Sequence, residues 1–157
     1  MNSKNTDTPA PILILGVGNI LLSDEGVGVH ALKELAKEKL PPDVELFDGG
    51  TASMENISIL SGRRKVIIID TVEGEGEPGA IYRFNYHDVK YKSEFPTSQH
   101  QLGIIETLKT MEFLGTMPDE VVIIGIQPQS LKPSLELTPK IAALMPKIVE
   151  LVLKELP

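Results

Sequence analysis

A chain of 157 residues and 17.1 kDa suffices for one domain with a full core and falls short of two. Its net charge of −7 and sequence pI of about 5.0 argue against nucleic acid or an anionic membrane as partner, since neither attracts an acidic surface. There is no run of about 20 apolar residues to span a membrane, the first ten residues lack the apolar centre of a signal peptide, and the absence of cysteine excludes disulfides, thiolate metal sites and a cysteine nucleophile. A cytoplasmic protein without membrane insertion is expected. Any metal must be held by oxygen and imidazole, and only His30, His87 and His100 supply imidazole.

Residues 1–11 are polar and Pro-containing and read as a mobile tail, leaving 12–157 as a single α/β domain. Ile12-Leu13-Ile14-Leu15, continuously apolar, predicts a strand buried on both faces. Gly16 and Gly18 then allow a tight turn or a close backbone approach. From Gly26 to about Leu40 the apolar positions recur at helical spacing, with Ser23 or Asp24 as cap. Pro41-Pro42 stops that helix, Val44–Phe47 alternates as a second strand, and Asp48-Gly49-Gly50 closes it. Thr51 or Ser53 caps a short helix through Met54, Ile57 and Leu60. Val66–Ile69 is a third, central strand that runs directly into Asp70.

Residues 71–79 hold no helix and cannot form a crossover to a parallel neighbour, so a fourth strand over residues 80–86 runs antiparallel. Ser98 and Gln101 fit a capping box for a helix through Leu102, Ile105 and Leu108. Val121–Ile126 is a fifth strand. Thr138-Pro139 opens the last helix, and Pro146 inside it predicts a bend.

Alternating strands and helices of this kind imply an α/β fold, a mixed sheet covered by helices on both faces. Ligands in such sheets bind outside the carboxyl ends of the strands. Asp24 and Glu25 follow the first strand, Asp48 the second and Asp70 the third, so four carboxyls are expected at one crevice. Their mutual repulsion requires protons, a cation or hydrogen bonds in compensation. Each also has a plainer reading: Asp24 as a helix cap, Asp48-Gly49-Gly50 as a turn, and His100 as a solvated helix-start residue instead of a ligand. Asp70 has no obvious capping duty. His30 is expected on the solvent side of its helix and His87 in a polar loop. The Gly16-Val17-Gly18 turn is a weak nucleotide signal, because Leu21 occupies the place of the third small residue.

The stretch from Gly16 to Val29 (GVGNILLSDEGVGV), with Asp48-Gly49-Gly50-Thr51, Asp70, His100-Gln101-Leu102-Gly103 and the run from Gly125 to Pro133 (GIQPQSLKP), closely resembles the maturation endopeptidases of nickel-iron hydrogenases. The resemblance extends from Ile12 to about Leu153. It implies a three-layer α/β/α fold with a five-stranded mixed twisted sheet in order 2-1-3-5-4, strand 4 antiparallel at an edge. It also implies an endopeptidase that removes a C-terminal extension from a hydrogenase large-subunit precursor after nickel insertion. The metal-contacting residues it implies are Glu25, Asp70 and His100.

Two carboxylates and an imidazole suit a borderline divalent ion such as nickel or zinc. In one scheme the metal activates water. In the other, which is favoured, the trio touches nickel supplied by the substrate and a carboxylate such as Asp48 or Asp24 is the base. The trio is expected to meet the cation at pH 7 with neutral His100 and ionised carboxylates. The competing class is a non-catalytic nickel-binding chaperone or docking module for the same large subunit.

Overall fold

The computed structural model describes residues 8–51, 54–89 and 99–157, the side chains of Met54, Val89 and residues 99–102 excepted. Its sheet has the order β2-β1-β3-β5-β4. Strands β1 (Ile12–Val17), β2 (Val44–Gly50), β3 (Lys65–Thr71) and β5 (Glu120–Ile126) are parallel, and β4 (Ile81–Asn85) pairs antiparallel with β5. The return to β4 runs through residues 72–79, where Val72 N donates to Ile126 O at 3.0 Å and Gly79 N to Gln127 O at 2.9 Å. A helix-free link of this kind delivers an antiparallel strand, as the sequence predicts.

The apolar runs divide by alternation. Ile14, Ile67, Ile69, Val122 and Ile124 face α1 (Val27–Leu35) and α5 (Pro139–Lys154), against Leu32, Leu35, Ile141, Ile148 and Val152. Leu13, Leu15, Val66, Ile68 and Ile123 face the opposite layer, which contains α2 (Ile57–Leu60), α3 (Tyr86–Val89) and α4 (Gln99–Leu114). Because both faces are covered, β1, β3 and β5 have no solvent side, and each fully buried Ile or Leu contributes roughly 2 kcal/mol.

Several local expectations are corrected. The first helix ends at Leu35, not Leu40; beyond Leu35 the next residues are exposed, and Lys37 and Glu38 bond the carbonyls three residues back in a tightened turn. The second strand continues through Asp48-Gly49-Gly50, with a bulge opposite the Gly16/Val17 step. The fourth strand stops at Asn85, whose side chain accepts from His87 N at 3.2 Å and starts α3, so His87 is helical and Tyr86 is fully buried. Neither Ser23 nor Asp24 caps α1, and the α2 N-terminus has no side-chain cap. Thr138 occupies the N-cap position of α5, but its hydroxyl bonds Asp24 instead of the helix. As expected, Pro146 lies inside α5, on its exposed side. Residues 1–7, Ser53 and Ser98 lie outside the described residues, and so does the side chain of Gln101. Within the expected tail, Ala10 O accepts from Arg63 Nη1 at 2.8 Å and Pro11 O from Arg64 N at 2.8 Å, which ties its last residues to the domain.

Candidate active site

The strand order creates the crevice. From β1 the chain crosses to β2 on one side, then returns to β3 on the other, so the ends of β1 and β3 diverge and leave a cleft outside the sheet. Two glycines bring α1 close over it. At Gly18, with φ of 138°, a Cβ would lie 1.8 Å from Glu25 O; at Gly28 it would lie 2.2 Å from Ile69 O. The loop after β1 therefore folds back so that Glu25, in the 3-10 turn Ser23–Gly26, sits beside the end of β3.

Asp70 is the next residue of β3 after Ile69 and is 1% exposed. Its Oδ1 accepts from Thr71 N at 2.7 Å, while Oδ2 is buried and has no hydrogen-bond partner among the described residues. Burial raises its pKa to about 8, the Thr71 backbone N–H opposes the shift, and the charge of Glu25 adds to it. At pH 7 Asp70 thus keeps its proton in the absence of a cation, which corrects the expectation that both carboxylates are ionised. Glu25 is likewise buried. An orphaned carboxyl oxygen beside a second buried carboxyl fits a divalent cation, which would displace the Asp70 proton.

Asp24 is fully buried but turned away from this pair. Its Oδ2 accepts from Gln129 N at 2.9 Å and Ser130 N at 3.0 Å, and its Oδ1 from Thr138 N at 2.8 Å, with the Thr138 hydroxyl at 2.9 Å from Oδ2. Ser130 O and Ser134 O in turn accept from Asp24 N and Ser23 N at 3.2 and 2.9 Å, and Ser23 Oγ donates to Lys132 O. The loops leaving β1 and β5 are thereby laced together, a long-range clamp that the sequence reading of Asp24 as a cap missed. Its one sequence sign is the 12-residue connection from Gln127 to Thr138, long for a link without regular structure.

Asp48 is exposed at the end of β2, where its Oδ1 accepts from Gly50 N at 2.8 Å. It pairs with Gly16, which pairs with Ile69, so two strand spacings, about 10 Å, separate the Asp48 and Ile69 backbones. The four acids therefore do not converge: Glu25 and Asp70 meet, Asp24 clamps, and Asp48 stands across the cleft mouth.

The side chain of His100 lies outside the described residues. The backbone of α4 leads through residues 115–119 to the start of β5, so its first turn lies at the carboxyl edge, and by alternation Asp70 is on the face that α4 covers. Among the described residues no group of three or more His, Asp or Glu is placed to hold a metal. His30 is not on a solvated face: it is half-buried, its ring bonds the Leu135 carbonyl, and its Nε2 is buried without a partner. Burial, then Lys33, lowers its pKa.

A doubly covered sheet of this order is the architecture of a known class of processing peptidases. The hydrogenase maturation protease family profile matches residues 29–155, and the chain belongs to that family of endopeptidases. It is 38% identical over 147 residues to the hydrogenase 2 maturation protease of Escherichia coli K12, covering 92% of this chain and 90% of the relative. A hydrogenase expression/formation protein of Rhizobium leguminosarum bv. viciae is 33% identical over 152 residues, 94% of this chain and 75% of the relative. Among solved structures, the E. coli hydrogenase maturating endopeptidase HybD superposes with a TM-score of 0.84 at 38% identity, covering 92% and 90% of the two chains. The [NiFe] hydrogenase maturation protease HybD of Thermococcus kodakarensis superposes at 0.76 with 28% identity, covering 93% and 99%.

Proposed function

We propose that this peptidase removes the C-terminal extension of a nickel-iron hydrogenase large-subunit precursor after nickel insertion, and that Glu25, Asp70 and His100 contact nickel carried by the substrate. The observation that carries this reading is Asp70 Oδ2, a buried oxygen with no partner among the described residues, beside Glu25 at the switch point. A precursor without its metal leaves the Asp70 proton in place and gives the site nothing to hold. One with nickel exchanges that proton for the cation, so the carboxyl pair reports the loading state of the substrate. Zinc or another divalent ion would satisfy the same donors.

For the hydrolysis, Asp48 is the base. Asp24 already accepts three backbone N–H groups and a hydroxyl, which suits holding loops and not exchanging protons, whereas Asp48 is exposed to water. Asp48 takes a proton from water as its oxygen bonds the scissile carbonyl carbon. The C–N bond then breaks, and the proton passes to the leaving amine, giving a new carboxylate and a released peptide. On the same reading the reaction takes place in the cytoplasm; among the described residues no helix is long and apolar enough to cross a membrane.

Incubation with nickel-loaded precursor tests this directly. A shortened large subunit and a released C-terminal peptide, absent with nickel-free precursor, are the expected result. Stable binding of loaded precursor without any shortening would favour the chaperone instead.

A further inference from the structure

The loops clamped by Asp24 carry side chains that the cleft does not use. Leu21 is 58% exposed, Leu135 64%, Leu131 40% and Ile20 39%. They are neighbours: Ser134 N donates to Leu21 O at 3.0 Å, Leu22 bridges Ser134, and the Ile20 and His30 edges meet over Gly26. The stretch Gly18–Leu22 has no charge and Gln127–Leu135 only Lys132, in a sequence where 24% of residues are charged. A patch of exposed leucines in a nearly uncharged surround is the composition of a recognition surface. It is also rigid, because the hydrogen bonds that lace the loops leave little to order on binding.

Its position commits it to one occupant. These loops leave the carboxyl ends of β1 and β5, the strands on either side of β3, whose end bears Asp70. Any chain that brings its metal to Asp70 and Glu25, with its scissile bond towards Asp48, passes beside them. Beyond Leu137 lies a groove of about 920 Å³ between α1 and α5, lined by Met145, Pro146 and Val149 and by charged side chains such as Lys33 and Glu150.

We propose that Ile20, Leu21, Leu131 and Leu135 form the docking face for the large-subunit precursor, gripping an apolar surface of its folded body next to the C-terminal segment being cut. This rests on the function proposed above. Specificity for the client then resides in leucine contacts outside the cleft, and the carboxyl pair reads only the metal.

Steady-state cleavage of nickel-loaded precursor by Leu21→Asp and Leu135→Asp enzymes tests the assignment. Both side chains are exposed, so their melting temperatures should stay near the parent's. Each variant is expected to raise KM about tenfold or more while kcat falls far less, the scale of a lost contact residue. Leu21→Ser and Leu135→Ser, which add no charge, should move KM in the same direction. Phe113→Asp, 90% exposed at the last turn of α4 near the opposite end of the sheet, should leave KM unchanged. If the parent enzyme cleaves precursor and the leucine variants keep its KM, the docking face is wrong and the function stands. A parent enzyme that neither binds nor cleaves loaded precursor overturns both.

Discussion

Asp70 at the end of β3 and Glu25 in the 3-10 turn Ser23–Gly26 are both buried and face each other closely enough that the charge of one opposes ionisation of the other. Burial is the larger cause, and together they raise the Asp70 pKa from 3.8 to about 8. Two carboxyls placed this way destabilise the fold above neutral pH, which is the expected signature of a site shaped for a cation.

The sign of that effect is testable. Between about pH 4 and pH 8 the folded state holds an Asp70 proton that the unfolded chain has lost, so stability falls as pH rises through this window. Asp70→Asn has no such proton and should melt higher than the parent at pH 8, by on the order of a few kcal/mol, with the difference shrinking towards pH 4. Cleavage should be lost in the same variant. Thermal melts at pH 5 and pH 8 decide the matter, and a variant less stable than the parent at pH 8 would make Asp70 a structural residue.

Asp24→Ala should behave in the opposite way. Removing a buried carboxylate strands the N–H groups of Gln129, Ser130 and Thr138, and losing charge-assisted bonds of this kind costs on the order of 3 kcal/mol. A clear fall in melting temperature, with hydrogen exchange increased at Gln129 and Ser130, is expected. A melting curve unchanged from the parent's would remove the clamp.

Much of this arrangement was legible in the chain, and what was not has a common cause. β1, β3 and β5 announce themselves because strands covered on both faces need unbroken Ile, Leu and Val, and the antiparallel β4 follows from the helix-free link before it. The order of the strands came from family resemblance; no local pattern encodes it. Asp24 and His30 were misread because their partners, Gln129 to Thr138 and Leu135, lie more than 100 positions away, as in the Asp24–Gln129 separation of 105. Local propensity made Asp24 a cap and His30 a solvated residue. Similarly, Leu40 fits a helical stripe by spacing, yet with residues 36–39 exposed there is nothing to bury along it.

His30 gives a second pH effect of opposite sign. Its pKa is lowered, chiefly by burial and then by Lys33, so below about pH 6.5 the unfolded chain takes up a proton that the folded state resists. Stability from this residue is present above that value and is lost as pH falls. His30→Gln should reduce the acid sensitivity of the melting temperature, and an imidazole titration followed by NMR should place the His30 midpoint below the ordinary imidazole value of 6.5. A His30 midpoint at or above 6.5 would contradict it.

Cation binding should release a proton. With Asp70 protonated at pH 7 and the cation requiring the carboxylate, each ion bound displaces about one proton, and affinity should rise with pH up to about 8. Calorimetric titration of the isolated enzyme with nickel or zinc, in two buffers of different ionisation heat, measures that number, and Asp70→Asn should abolish it. On the proposed recognition of substrate nickel, cleavage of nickel-loaded substrate should weaken as pH falls, because Asp70 then retains its proton. Adding zinc to the enzyme should not restore cutting of nickel-free precursor, and His100→Ala should fail on loaded precursor. Efficient cutting of metal-free precursor by metal-free enzyme would refute recognition through the substrate's nickel, since neither partner would then need a cation.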